Sequence, residues 1–270
     1  VRAPSTQTEY WKGSTSLEGA TITMRSMDED AKTYEGTVKA DGTFNVGYVT
    51  PGRYEVTGSK SGWTFVPRIV DVSGFLNTIP PMLAYESNIG DQTVLIMVEW
   101  LNYAYDVDSY VVRDTDNDGT FDGTIVCSYN KTDTERKIFL DRDITDKTDP
   151  VIPRVETIRI VGNSNTTEDL RYYLRLFNQS AGSLTGDTSQ HLLPAGATVY
   201  IMQGTTHLGT IPIAYNTAEQ VVGVVSMRWD SGNSQWLIGS FGGGWVFGDG
   251  SGTGGIKSAG FKPVFVTEIK

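Results

Sequence analysis

The sequence of 270 residues predicts an all-β protein built from two β-sandwich domains. Three observations predict this class: apolar side chains recur at every second position, turn dipeptides separate these runs, and no window holds a sustained helical period. The 30 glycines and 13 tyrosines belong to residue types that favour tight turns and strands, respectively. Many short strands at such spacing are typical of sandwiches and barrels.

The strands of the first domain are predicted from period-two alternation between turn dipeptides. The alternating apolar residues are Ala20, Ile22 and Met24; Phe44, Val46 and Tyr48; Tyr54 and Val56; and Val70 and Val72. The dipeptides Asp41-Gly42, Pro51-Gly52 and Ser61-Gly62 supply the glycine that a tight turn needs.

The second domain begins after a break in this pattern. Pro80-Pro81 stiffens the chain and residues 86–91 are polar, which places the boundary near residue 88 and the domains at 8–85 and 90–270. The nearly continuous apolar run from Val94 to Trp100 predicts a strand buried on both faces. Further strands are predicted at 107–112, 124–129, 155–161, 170–177, 198–203, 220–229, 234–239 and, beyond a glycine-rich connection at 241–255, at 263–269.

Composition and charge restrict the partners. The net charge of −10 argues against nucleic acid, because phosphate binding needs clustered Lys and Arg, and against an anionic membrane surface. No apolar stretch of about 18 residues or more occurs, so we expect no membrane insertion. The single cysteine, Cys127, is expected to be a small buried core residue in an apolar strand, rather than a nucleophile.

The first domain resembles the carboxypeptidase-regulatory-like domain, a small transthyretin-type β-sandwich, over roughly residues 8–83. The motifs that carry this resemblance are LEGATI at 17–22, ADGTF at 40–44, TPGRYEV at 50–56 and SGWTF at 61–65. The resemblance implies a transthyretin-like or immunoglobulin-like sandwich that accompanies exported proteins. It does not imply peptidase activity.

The second domain resembles the YfaP-type domain, an uncharacterised bacterial family, over roughly residues 93–240. The motifs are VEW at 98–100, DVDSYVV at 106–112, LDRD at 140–143, VETI at 155–158, RYYL at 171–174 and GATVY at 196–200. This resemblance implies a larger β-sandwich and an exported context, without an activity. The chain departs from the family's short turn after the Asp-x-Asp strand by inserting an aspartate-rich loop at 114–123.

This loop carries the spacing of a calcium loop. Asp114, Asp116, Asp118 and Asp122 occupy positions 1, 3, 5 and 9 of an EF-hand pattern, with Gly119 at the sharp turn. Position 12 is an isoleucine instead of the bidentate glutamate, and no helical pattern flanks the loop. A calcium-stapled β-hairpin and a solvated hairpin without metal therefore both stay open.

The surroundings of the loop are also acidic. Residues 106–149 hold 11 Asp and 1 Glu against 6 Lys and Arg, which is a net charge of −6 in one segment. Such a concentration of negative charge destabilises a compact domain without a counter-ion. We therefore expect Asp106 or Asp108 to face the loop site or to form a second calcium site.

Other sites have weaker support in the sequence. His191 and His207 have no metal partners at suitable spacing, and no nucleophile-elbow motif marks a hydrolase. Exposed aromatic residues would offer a carbohydrate-binding surface, with the structural alternative that most of them lie in the core. The aromatic candidates are Trp11, Trp63, Trp100, Trp229, Trp236, Trp245, Tyr103 and Tyr105.

The sequence thus predicts a non-catalytic structural or adhesion module of a bacterial surface or periplasmic protein, stiffened by calcium. Its expected partner is a protein or a glycan at the cell surface. The alternatives are a carbohydrate-binding module attached to a secreted enzyme, and an enzyme whose catalytic groups converge only in three dimensions.

Overall fold

The structure, a computed structural model, consists of two compact units, Val1–Gly90 and Asp91–Lys270. It describes residues 17–28, 32–73, 79–100, 106–114, 120–121, 126–144, 154–162, 168–177, 197–213, 221–240 and 256–257. Within these ranges the regular structure is antiparallel β, apart from the three-residue 3-10 helix Ser87–Ile89. The prediction of an all-β chain with sandwich-like bodies is confirmed.

The described residues of unit 1 form six strands in two sheets. The strands are β1 (Thr21–Ser26), β2 (Thr33–Thr37), β3 (Gly52–Ser59), β4 (Trp63–Phe65), β5 (Arg68–Val72) and β6 (Ala84–Glu86). One sheet has the order β2-β1-β3-β5, and β4 pairs with β6. Because Met24 lies opposite Val56 in the β1–β3 ladder, the apolar residues of both strands share one face and enter one core.

One predicted strand of unit 1 is wrong. Residues 43–50 are described without strand structure, and Tyr48 at their end is fully exposed. The side chain of Asn45 accepts a hydrogen bond from the backbone N–H of Gly47, and Gly47 has a φ of 78°. This local turn breaks the period-two path after Val46, so the alternation of Phe44, Val46 and Tyr48 is not continued in space.

Twelve strands lie in the part of unit 2 that the structure describes. They are β7 (Thr93–Trp100), β8 (Asp106–Asp114), β9 (Thr120–Phe121), β10 (Thr132–Asp133), β11 (Ile138–Arg142), β12 (Arg154–Val161), β13 (Asp169–Phe177), β14 (Thr198–Gln203), β15 (Thr206–Pro212), β16 (Val221–Asp230), β17 (Gln235–Ser240) and β18 (Ile256–Lys257). Six form a sheet of order β10-β11-β12-β7-β14-β15, and four form a sheet of order β17-β16-β13-β8. Strands β9 and β18 pair with each other.

The core of unit 2 lies between its two larger sheets. Ile96 and Ile158 come from the six-stranded sheet and Val111 and Tyr172 from the four-stranded one, and all four belong to the same buried cluster. Strand β7 is central in its sheet and buried at every position, which confirms the prediction for Val94 to Trp100. No helix in the described part of the chain has the length and apolarity that a bilayer crossing requires.

For the other strands of unit 2, the sequence-based predictions differ from the structure at several places. Of the strand predicted at 124–129, residues 124 and 125 lie outside the described residues, while Val126 and Cys127 form isolated bridges with Val111 and Asn130 and residues 128–129 form a turn. Strands β11 and β15 were missed, because β11 is short and ends in charged residues, while His207 and Gly209 interrupt the apolar alternation of β15. The predicted strand at 263–269 lies outside the described residues.

Gly162 provides a test of core packing in unit 2. A Cβ atom at this position would lie 2.5 Å from Cε3 of Trp229, a buried residue of β16. The Gly162→Ala variant should therefore force the indole to shift and lower the free energy of unfolding by about 1–3 kcal/mol, measured in urea. The Gly232→Ala variant, in an exposed turn, serves as the control; equal stabilities of the two variants would contradict this packing.

Candidate metal centre

The centre is built around Glu156, a buried glutamate in the middle of β12. In a strand, residues two apart point to the same face, so Glu156 shares its face with Ile158 and Ile160. Both isoleucines belong to the core between the sheets. The glutamate is therefore directed out of the six-stranded sheet into the interior, and it is fully buried.

Its carboxylate reaches the edge of the opposite sheet. The backbone N–H of Ser109 in β8 donates to Oε2 of Glu156 at 3.0 Å, and the N–H of Ile144 donates to Oε1 at 3.3 Å. Strand β8 is the last strand of its sheet. On its outer edge, Val111 exchanges two backbone hydrogen bonds with Val126. Glu156 thus caps an edge N–H that no neighbouring strand satisfies.

Asp106 and Asp108 bring two more carboxylates to this point. They are two residues apart in β8, so their side chains leave the strand on the same side. One carboxylate oxygen from each of Asp106, Asp108 and Glu156 lies within 4.8 Å of the others. The three residues are exposed by 2%, 3% and 0%, respectively, so the cluster is closed to bulk water.

The cluster is electrostatically costly without a counter-ion. Burial raises the pKa of Glu156 well above its ordinary value, and the negative charges of Asp108, Asp143 and Asp106 raise it further. The hydrogen bond from Ile144 opposes this shift. A buried carboxylate surrounded by like charges is stable only if it takes up a proton or a cation.

Asp143 lies beside the cluster, directly after β11. Its side chain is 5% exposed, and its Oδ2 lies 2.8 Å from Nζ of Lys131, whose side chain is 53% exposed. Its other oxygen, Oδ1, is buried and accepts no hydrogen bond from the described residues. The next residue, Ile144, is the one that donates its N–H to Glu156.

The donor set is suited to a hard cation. Carboxylate oxygens are the preferred ligands of calcium, magnesium and manganese, and no imidazole or thiolate takes part in this described cluster. Two oxygens that both bind calcium at 2.3–2.6 Å can be at most about 5 Å apart. The separations within 4.8 Å are compatible with a shared calcium ion.

The structure describes three of the six predicted metal ligands, namely Asp106, Asp108 and Asp114. Asp106 and Asp108 are brought together, and they are joined by Glu156. Asp114 is the last residue of β8, and six residues of extended strand separate it from Asp108 by about 20 Å. Asp116, Asp118 and Asp122 lie outside the described residues, so the calcium loop stays a prediction.

Sequence analysis missed Glu156, a member of this centre, and Asp143, which precedes the residue that donates its N–H to Glu156. For Glu156 a signal was present: a glutamate in phase with Ile158 and Ile160 is a charge on a core-facing position. For Asp143 no local signal exists, because it follows the end of a strand and its direction depends on tertiary packing.

The cysteine and the two histidines are weaker candidates for site residues. Cys127 is buried as predicted, and burial raises the pKa of its thiol, which disfavours the thiolate that a nucleophile needs. His207 makes a hydrogen bond with Thr210, and His191 lies outside the described residues. Neither observation adds support to a zinc site.

The aromatic candidates are mostly core residues. Trp100, Trp229 and Trp236 are buried, and Trp229 packs against Trp236 with ring centroids 5.5 Å apart. Trp63 is half-buried against the core of unit 1. Trp11, Trp245, Tyr103 and Tyr105 lie outside the described residues, so the carbohydrate surface stays a prediction that depends on them.

A second charged cluster links the two sheets of unit 2 at the far end of β8. Arg113 lies 3.0 Å from Oδ2 of Asp133 in β10 and 3.0 Å from Oε1 of Glu168, and all three side chains are largely buried. Arg136 also pairs with Glu168. This cluster contains arginines, so its charges are compensated within the protein and it needs no added cation.

Comparison with known proteins assigns no family. No protein-family profile and no curated protein sequence matches the chain. Among solved structures, the chain is similar to the protein of unknown function SAV2460 (15% identity, TM-score 0.44) and to a homologue of the telluride resistance protein TerD, SCO6318 from Streptomyces coelicolor A3(2) (12% identity, TM-score 0.44). Each match covers 56% of this chain and 88% of the other. A TM-score below 0.5 does not establish a shared fold, so function has to be argued from the chain's own residues.

The raised pKa of Glu156 predicts a pH-dependent stability of the cation-free protein. The folded state binds this proton more tightly than the unfolded state, so stability is greatest below about pH 4.3, the ordinary glutamate pKa, and falls as pH rises toward the folded pKa. In chelator, the melting temperature of the wild type should therefore fall, relative to that of Glu156→Gln, between pH 4.5 and 8. A difference between the two proteins that is independent of pH would contradict the assignment.

The Arg113 cluster predicts a large cost when one partner is removed. Arg113→Met leaves Asp133 and Glu168 with less compensation in a buried place, so the free energy of unfolding should fall by about 3–5 kcal/mol in urea. Arg228→Met is the matched control, since Arg228 pairs with Asp169 at a more exposed position and should cost about 0–1 kcal/mol. Similar costs for the two variants would show that the buried pair adds no stability of its own.

Proposed function

We propose that the chain is a non-catalytic structural or adhesion module of an exported bacterial protein, and that unit 2 is stabilised by a calcium ion held by Asp106, Asp108 and Glu156. The observation that carries this proposal is the buried cluster in which the three carboxylates approach within 4.8 Å. The cluster joins β12 of one sheet to β8 of the other. A cation there would link the two layers of the sandwich.

Burial of the cluster supports a structural role for the cation. Catalytic metal sites keep a position open for water or substrate, whereas structural sites are closed by protein ligands. Here the three carboxylates are exposed by at most 3%, and two backbone N–H groups already occupy lone pairs of Glu156. The arrangement favours holding an ion over presenting it to a substrate.

Calcium is favoured over magnesium by the same geometry. Magnesium gives up its water shell reluctantly and usually binds proteins through one or two carboxylates, while calcium accepts six to eight oxygens in flexible geometry. Three buried carboxylates supply up to six oxygens and leave little access for water. Extracellular modules bind calcium with dissociation constants of about 0.1–1 mM, which suits an exported protein.

Recognition of a partner is assigned to surfaces away from this centre. The partner proposed is a protein or a glycan at the cell surface, contacted by loops and exposed strand residues. Among the described aromatic side chains, Tyr48 of unit 1 and Tyr129 of unit 2 are exposed by 101% and 75%. These positions are the first to substitute in a binding assay.

Calorimetric titration with calcium chloride tests the cation site. The wild type should bind calcium and, at a hundredfold excess over the dissociation constant, gain about 2.7 kcal/mol of stability. Asp108→Asn should lose this response, because it removes one of the three charges. Asp91→Asn, at an exposed aspartate of the same unit, should keep it.

Two outcomes would contradict the assignment. Absence of binding heat together with a melting temperature unchanged by chelator would exclude a calcium site in this chain. Loss of the response in Asp118→Asn, with an unchanged response in Asp108→Asn, would place the ion in the aspartate-rich loop at 114–123 instead.

A further inference from the structure

The position of Asp143 bears on which residues make up the proposed cation site. Its backbone is held against the cluster, because the adjoining residue Ile144 donates its N–H to Oε1 of Glu156 at 3.3 Å. Only 5% of the surface of the Asp143 side chain is exposed to solvent. The carboxylate is therefore shielded from water. It is not one of the three carboxylates whose oxygens approach within 4.8 Å, so sharing an ion with them requires the Asp143 side chain to turn from Lys131 toward Glu156.

The two oxygens of Asp143 have different surroundings. Oδ2 is 2.8 Å from the ammonium of Lys131, whereas Oδ1 is buried and accepts no hydrogen bond from the described residues. A buried carboxylate oxygen without a donor is costly, because its hydration is lost and nothing replaces it. Coordination by a cation would replace the lost hydration.

Lys131 approaches this carboxylate from the solvent. Its side chain is 53% exposed, so the ammonium can withdraw into water at little cost. It is therefore a replaceable positive charge next to a set of four carboxylates. A divalent cation that binds the same oxygens would compete with it directly.

We propose that Asp143 is a fourth carboxylate ligand of the calcium ion, and that Lys131 is the counter-ion that holds this carboxylate when calcium is absent. This inference rests on the proposed calcium site. Four carboxylates supply up to eight oxygens, which matches the coordination number of calcium and exceeds the six of magnesium. Lys131 then competes with calcium for the Asp143 carboxylate and so weakens calcium binding. When calcium is absent, the ion pair with Lys131 keeps Asp143 in place.

Calcium titrations of the full chain with two variants test the proposal. Asp143→Asn should weaken calcium binding by tenfold or more, since it removes a charged ligand but keeps the shape. Lys131→Gln should strengthen calcium binding about threefold to tenfold, since it removes the competitor. Circular dichroism confirms that each variant is folded.

The controls are matched to the two changes. Asp91→Asn removes a negative charge from an exposed position, and Lys137→Gln removes a positive charge from an exposed position in the turn before β11. Both controls should change the calcium affinity by less than twofold. A titration with magnesium chloride should give weaker binding than calcium in the wild type.

The outcomes separate this inference from the proposed function. Wild-type affinity in Asp143→Asn, with loss of binding in Asp108→Asn, would overturn the role of Asp143 and leave the three-residue site intact. Absence of calcium binding in the wild type would overturn both. If Asp143→Asn does not fold, Lys131→Gln decides, and an affinity no higher than that of Lys137→Gln overturns the proposal.

Discussion

The contact between Glu156 and the edge of β8 is the interaction on which the organisation of unit 2 depends. It carries a carboxylate from the six-stranded sheet across the core to a backbone N–H of the four-stranded sheet. Apolar packing holds two sheets together without specifying their alignment at each point. A directional hydrogen bond to one edge N–H ties Glu156 to Ser109 and so defines the local register between the layers.

The same contact explains why acidic side chains gather inside the domain. Glu156 reaches the backbone of Ser109, and the carboxylates of Asp106 and Asp108 in the same strand lie within 4.8 Å of its own. The resulting charge is unfavourable in a closed space. The calcium ion proposed for this cluster would offset that cost and would link the two sheets.

Charge is handled differently at the other end of β8. Arg113 meets Asp133 and Glu168 with opposite signs, so that end of the sandwich is neutralised by side chains alone. At the acidic end, Lys131 pairs with Asp143, and this lysine is half in solvent. Strand β8 thus has an arginine-centred ionic link near one end and the proposed cation site near the other.

The sequence by itself determined the fold class and the faces of the strands. Period-two alternation predicted the burial of Ile22 and Met24, and the nearly continuous apolar run from Val94 to Trp100 predicted a strand buried on both faces. The acidic composition of residues 106–149 led to the prediction that Asp106 or Asp108 belongs to a cation site. Tertiary structure alone brought Glu156, which lies about 50 residues further along the chain, to Asp106 and Asp108. Contacts between two sheets depend on how the layers are superimposed, and no local pattern in the sequence encodes that alignment.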